Sequence, residues 1–195
     1  NMEYQSKYNR FPTVTVPGAK KENVWVGYQG IMEQLKKYTG KTIVIDCYPG
    51  VRDQEVLTAI KELLHPDTVI ESIDAFYEED ELTDRMKSHL TDDRVFGVMY
   101  YGKVSDFMDP EKTKDVRKKA EESTGTTVVY GFGASLLCKG DVLVYADLAR
   151  WEIQLRYRSH ELGNYKCSNY EEDILRKYKR AFFIEWRIAD KHKRT

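Results

Sequence analysis

KTIVIDCYPGVRDQEV, residues 41–56, decides how the rest of the chain is read. KTIVIDCY, residues 41–48, is a continuous apolar run with β-branched residues, which suits a strand covered on both faces. Pro49 and Gly50 then open a loop. Asp53 is then placed to cap a helix whose buried stripe is Val56, Ala59, Ile60, Leu63 and Leu64, until Pro66 stops it. A strand, a glycine-bearing turn and a helix N-terminus make a natural anion site, because backbone N–H groups and the positive end of the helix dipole converge there.

The side chains that usually hold a nucleotide in such a place are missing. In the pattern Gly-x4-Gly-Lys-Ser/Thr, the Lys meets the β- and γ-phosphates and the hydroxyl meets magnesium. Here Gly50 is followed by Val51 and Arg52. The position fits an anion; the chemistry does not fit a triphosphate.

Working outward, VGYQGIMEQLKKYTG (26–40) places Ile31, Leu35 and Tyr38 on one helical stripe and ends at Gly40, a natural C-cap. Ahead of it, Pro12, Pro17 and Gly18 surround the alternating FPTVTV, which reads as an extended arm or edge strand. Downstream, TVIESIDAFY (68–77), RVFGVMYYG (94–102), TTVVYGFGASLL (126–137) and DVLVYADL (141–148) are further strand candidates. Between them lie a helix through Met86 and Leu90 and a solvated helix opened by Pro110 and closed at Gly125. From Leu148 the period turns helical: Leu148, Trp151, Leu155 and Leu162 line one helix. Ile174, Tyr178, Ala181, Phe182, Glu185 and Ile188 mark a second, with Glu185 as a charged intruder. The expectation is an α/β fold, a three-layer and mostly parallel sheet with a C-terminal helical pair. An arm and helix (1–39) precede a domain spanning 40–195.

The chain has 195 residues, 41% hydrophobic and 32% charged, with a formal net charge of −1. That balance describes a globular protein and speaks against nucleic-acid coating. There is no apolar run of membrane-spanning length and no signal-peptide core, so a cytoplasmic location without membrane contact is expected. Cys47, Cys138 and Cys167 form no Cys-x-x-Cys pair, and His65, His89, His160 and His192 are scattered. Neither a disulfide framework nor a zinc site is expected. Asn1 ahead of Met2 reads as the remnant of a cleaved tag. KHKRT follows so closely on a helix that the natural chain is expected to continue past Thr195.

Ligands of an open parallel sheet bind beyond the carboxyl ends of its strands. The first strand brings Asp46, Tyr48, Gly50, Arg52 and Asp53 to that edge. The second brings Asp74, the YGFGAS turn brings Gly131, Gly133 and Ser135, and YADLAR brings Asp147 and Arg150. Asp46 and Asp74 are the acidic candidates for magnesium or a hydroxyl proton, although Asp often ends a strand as a plain turn residue. The basic residues are uneven: residues 150–195 hold 12 Lys and Arg against 7 Asp and Glu, whereas 67–93 hold 2 against 10. Arg150, Arg156, Arg158, Lys166, Arg176, Lys177, Lys179 and Arg180 are therefore candidates to meet phosphate, with solvated helix faces as the plainer alternative.

Two resemblances follow. IVIDCYPGV in the phosphate-loop position, IDAFY, VVYGFGASLL and DVLVYADLARWEIQLRYR together resemble the uridine kinase-like branch of the P-loop nucleoside kinases. That likeness implies a substrate or base role for Asp74 and a lid role for Arg156 and Arg158. It departs from the kinases where no Gly-Lys-Ser/Thr follows the first strand. GVRDQEVL, TDDRVFG, GASLL, GDVLVYADLARWEIQLRYR and YKRAFFIEWRIADK more closely resemble the N-terminal region of long bacterial class I mannose-6-phosphate isomerases. There a kinase-like segment precedes a zinc-dependent catalytic domain. The likeness implies that zinc belongs to an isomerase domain these residues do not include, and that no cofactor is held here. Three readings stand: a regulatory, ligand-sensing or assembly domain that meets a sugar phosphate or nucleotide; a small-molecule kinase with a nonstandard loop; and a structural homo-oligomerisation domain.

Overall fold

A computed structural model describes residues 12–195. Four parallel strands form one sheet: β1 (Thr42–Cys47), β2 (Thr68–Glu71), β3 (Thr127–Gly131) and β4 (Val142–Ala146). Their spatial order is β2-β3-β1-β4, so β1 is central and β4 is an edge. Asp46 lies opposite Gly131 on one side and Tyr145 on the other.

The period of two in β1 builds the layers. Ile43 and Ile45 enter one apolar cluster with Met32, Leu35, Leu57 and Ile60, while Val44 enters the other with Phe76, Leu82, Val116, Ile153 and Ile184. The first face is covered by α1 (Gly27–Leu35) and α2 (Asp53–Ala59), the latter widening into a π turn, Ile60–Leu64. The second is covered by α3 (Glu79–Leu90), α4 (Pro110–Glu122) and α5 (Arg150–Arg158), and by a continuous helical run. That run is α6 (Ile174–Arg180), a π turn (Ala181–Glu185) and α7 (Trp186–His192). α1 therefore shares a core with the sheet. Asp109 caps α4, accepting from the N–H groups of Glu111 at 2.8 Å and Lys112 at 3.0 Å behind Pro110.

Several local expectations change. RVFGVMYYG is a loop, not a strand, and it exposes Val95, Phe96, Val98 and Tyr101. TVIESIDAFY is a strand only to Glu71, after which Ser72–Ala75 is a 3-10 turn. Asp53 is the first residue of α2 and not its cap. In α1, Met32 and Leu35 are buried and Ile31 is exposed; in α5, Ile153 and Tyr157 face the core while Trp151 and Leu155 face out. Residues 12–16 form no strand, and the arm's first eleven residues lie outside the described residues.

The C-terminal cations also differ from a solvated face. Lys177, Lys179 and Arg180 are buried, as is Glu185. Arg180 Nε meets Glu185 Oε1 at 3.1 Å, and Glu185 also accepts from Asn164 Nδ2 and the Tyr165 N–H, each at 3.1 Å. Lys177 donates to the carbonyls of Tyr157 at 2.8 Å and Tyr170 at 2.6 Å, and burial lowers its pKa. Lys177, Arg180 and Glu185 hold the start of the C-terminal helical run to the 159–170 connection, while Lys179 reaches the Thr91 and Asp93 carbonyls. Among the described residues no helix is long and apolar enough to cross a membrane, and no three metal-capable side chains cluster.

Candidate functional site

The loops after β1 and β3 leave adjacent strands and lead to opposite edges of the sheet, one to β2 and the other to β4. Such a switch of direction opens a crevice at the carboxyl ends of the two strands. Asp46 points into it and is 1% exposed. Its Oδ1 accepts the Gly133 N–H at 3.0 Å, and its Oδ2 accepts the Ser135 N–H at 3.0 Å and hydroxyl at 2.5 Å. Gly133 turns those amides inward with φ +75, where a Cβ would come within 2.9 Å of Met108. From α7, His192 Nε2 lies 2.8 Å from Oδ2. Burial pushes the Asp46 pKa upward, but the hydrogen bonds from His192 and Ser135 outweigh it and leave the carboxyl below its ordinary range. The crevice thus already holds an anion, the protein's own carboxylate.

A Ser, a His and an Asp in contact raise the question of nucleophilic catalysis, which the geometry answers. In a proton relay, the two imidazole nitrogens separate the acid from the hydroxyl. Here His192 Nε2 meets both Asp46 and, at 3.3 Å, Ser135 Oγ. An ionised carboxylate only accepts, so Nε2 carries the proton and has no lone pair with which to activate the hydroxyl. Ser135 and His192 are fasteners of Asp46.

The loop between β1 and α2 is filled in the same way. Gly50 has φ +110, and a Cβ on it would lie 3.2 Å from Ile153 and 3.3 Å from Leu162. Its carbonyl accepts from Arg156 Nη1 at 2.6 Å, and Arg156 also meets Glu152 at 3.0 Å. Arg52 forms a two-pronged pair with Glu161, at 2.6 and 3.2 Å. Asp53 turns its carboxylate inward to accept the Tyr130 hydroxyl at 2.7 Å, although the residue as a whole is exposed. Burial raises the Asp53 carboxyl above its ordinary range, against the pull of that bond.

A second group lies beside the crevice, at the ends of β1 and β4. The Tyr48 hydroxyl donates to Asp190 Oδ1 at 2.8 Å, Arg150 Nη2 donates to Asp190 Oδ2 at 2.8 Å, and Lys193 pairs with Asp147. With Leu148 they line a cleft of about 420 Å³. Across α1, α2 and β4, a mainly aliphatic cavity of about 280 Å³ has Arg52, Glu55 and Arg156 at its margin.

Thus Tyr48, Gly50, Arg52, Asp53, Arg150 and Arg156 gather at the carboxyl edge, with Gly133 and Ser135 closing on Asp46. Gly131 ends β3 against the Ser72 hydroxyl. Arg158 faces away, donating to the Tyr178 hydroxyl at 2.8 Å and lying over Trp151. Asp74 is exposed on the turn after β2, and among the described residues no hydrogen bond or ion pair joins it to the β1 loop. Glu161, Asp190 and His192 were not anticipated. Extending the stripe Glu185, Ile188, Ala189 by one turn reaches His192, so periodicity held that signal.

No curated protein and no solved structure matches the chain. Residues 27–195 match the family described as Domain of unknown function (DUF8485), and the chain belongs to that family.

Proposed function

We propose that the chain is a non-catalytic domain on the plan of a P-loop nucleoside kinase, serving to regulate or assemble a mannose-6-phosphate isomerase-type protein. The observation that carries the non-catalytic part is the closure of the β1 loop by α5. Arg156 holds the Gly50 carbonyl, while Ile153 and Leu162 pack where a phosphate group would need room. A kinase needs a cation clamp and free amides around the transferred phosphoryl group. Here Arg52 is committed to Glu161, and the amides of the β3 turn are committed to Asp46. The isomerase association rests on the sequence resemblance of residues 50–57, 91–97, 133–137, 140–158 and 178–191.

Calorimetry with ATP and magnesium, paired with a phosphate-release assay, tests the reading. The expected result is no tight magnesium-dependent binding and hydrolysis at buffer background. Saturable binding with turnover would establish the kinase alternative instead. The chain alone, supplied with zinc, is expected to leave mannose 6-phosphate unconverted; adding it to a zinc-loaded isomerase domain should change that domain's KM or assembly state.

A further inference from the structure

We propose that the apolar groove between the 91–98 loop and the α6–α7 run docks an acidic amphipathic helix of a partner domain. This inference rests on the assembly reading above and names the surface and the partner chemistry.

The loop is heavily fastened. Asp93 Oδ1 accepts the N–H groups of Val95 at 2.7 Å and Phe96 at 2.6 Å, and the Thr91 hydroxyl donates to the Phe96 carbonyl at 2.7 Å. Val98 N–H reaches the His89 carbonyl at 2.7 Å. Arg94 clasps Asp173 at the start of α6, and buried Lys179 donates to the carbonyls of Asp93 and Thr91. Burying a lysine to hold a surface loop is costly. Yet beside its exposed charges, Asp92, Asp93 and Arg94, this loop presents apolar side chains to water: Phe96 is 70% exposed and Val98 52%. A rigid loop that displays a phenylalanine has the properties of an interface anchor.

The groove beside it holds about 350 Å³ and is floored by Val95, Leu175, Phe182, Phe183 and Trp186. Tyr178, also on its wall, shares Arg158 with Trp151, whose own exposure is 58%, so the apolar surface continues onto α5. Isolated exposed apolar residues are ordinary; a contiguous patch of this kind marks a contact surface.

Charge selects the occupant. No acidic residue lines the groove. Arg158 and Arg187 lie over the rings of Trp151 and Phe182, at 5.1 and 4.9 Å, and neither has an ion pair among the described residues. Arg187 Nε is buried without a hydrogen-bond partner. Helices α5 and α6 bound the groove, the setting in which a helix lays its apolar face between two others. Flanking carboxylates on that helix would meet Arg158 and Arg187. Among the described residues, the strongly acidic helix α3 of a second copy does not supply it, because it buries its apolar residues Leu82 and Met86 in its own core.

Fluorescence anisotropy with a labelled helical peptide of about five turns, Leu and Phe at i, i+3, i+4 and i+7 and Glu elsewhere, tests this on the full chain. Saturable binding is expected, weakened about tenfold or more by Phe96→Ala and several-fold by Arg158→Gln or Arg187→Gln. A peptide with Lys for Glu should not bind. Trp151→Ala serves as a second variant on another element, with urea midpoints confirming that both variants fold. The proposal is overturned by no binding, by equal binding of the Lys peptide, or by affinity unchanged in both aromatic variants. A Phe96-dependent dimer in sedimentation, or Phe96-dependent recruitment to phosphatidylserine vesicles without peptide binding, would overturn it in favour of a second copy or a lipid surface.

Discussion

Asp46 is ionised inside the crevice because two backbone amides, a hydroxyl and an imidazole converge on it. Its depressed pKa means that it contributes stability fully above the ordinary carboxylate range, and that this contribution is lost as pH falls through the lower, folded-state value. Asp53 has the opposite sign: its raised carboxyl opposes folding at neutral pH, and that penalty disappears as pH falls through the raised value. Asp46→Asn should cost about 3–5 kcal/mol in urea unfolding at pH 7, because Asn cannot accept from all four donors. It should also flatten the acid limb of the stability curve; an acid limb unchanged from the parent would contradict the assignment. Arg180→Met should likewise cost about 3–5 kcal/mol, since Glu185 would remain buried without its cation. Of these residues, Glu185 was legible as a charged intruder in an apolar stripe. His192 lies one turn beyond the end of that stripe, so periodicity placed it on the buried face, but its partner was not legible until the fold brought residue 192 to residue 46.

α5 shows how far helical periodicity reaches. Trp151 and Leu155 form one i, i+4 pair and Ile153 and Tyr157 another, so spacing alone supports either face. Packing decides, because Ile153 is the residue that fits against Gly50 while Trp151 is left outside. Ile153→Ala should therefore cost about 2–5 kcal/mol, and Leu155→Ala should stay within about 0.5 kcal/mol in the same denaturant titration. Reversed magnitudes would restore the face that spacing first suggested. Gly50→Ala should cost about 1–3 kcal/mol, from φ +110 and the approach of Ile153 and Leu162 together. The strand–turn–helix at 42–59 was readable because β-branched runs and glycine turns are local signals. RVFGVMYYG misled because an apolar run looks the same whether it is destined for a sheet or for a displayed surface.

For the whole molecule, the parallel sheet and its covering helices followed from the alternation of patterns, whereas the role of the C-terminal quarter did not. It is part of the core: Ile153, Tyr157, Ala181, Ile184, Trp186 and Ile188 share one apolar cluster with Val44 of β1 and Val129 of β3. A chain ending at Asp147 should lose cooperative urea unfolding; retention of a sharp transition would show that the helices are an appendage. The same architecture sets a clock on folding. The central strand has no early partner, because Thr42 pairs with Thr127 and Ile43 with Val142. During synthesis at about 5–20 residues per second, Ile43, Val44 and Ile45 emerge seconds before any strand that can cover their edges. Until then they depend on α1 and α2, or on a chaperone, to keep them from pairing with another chain.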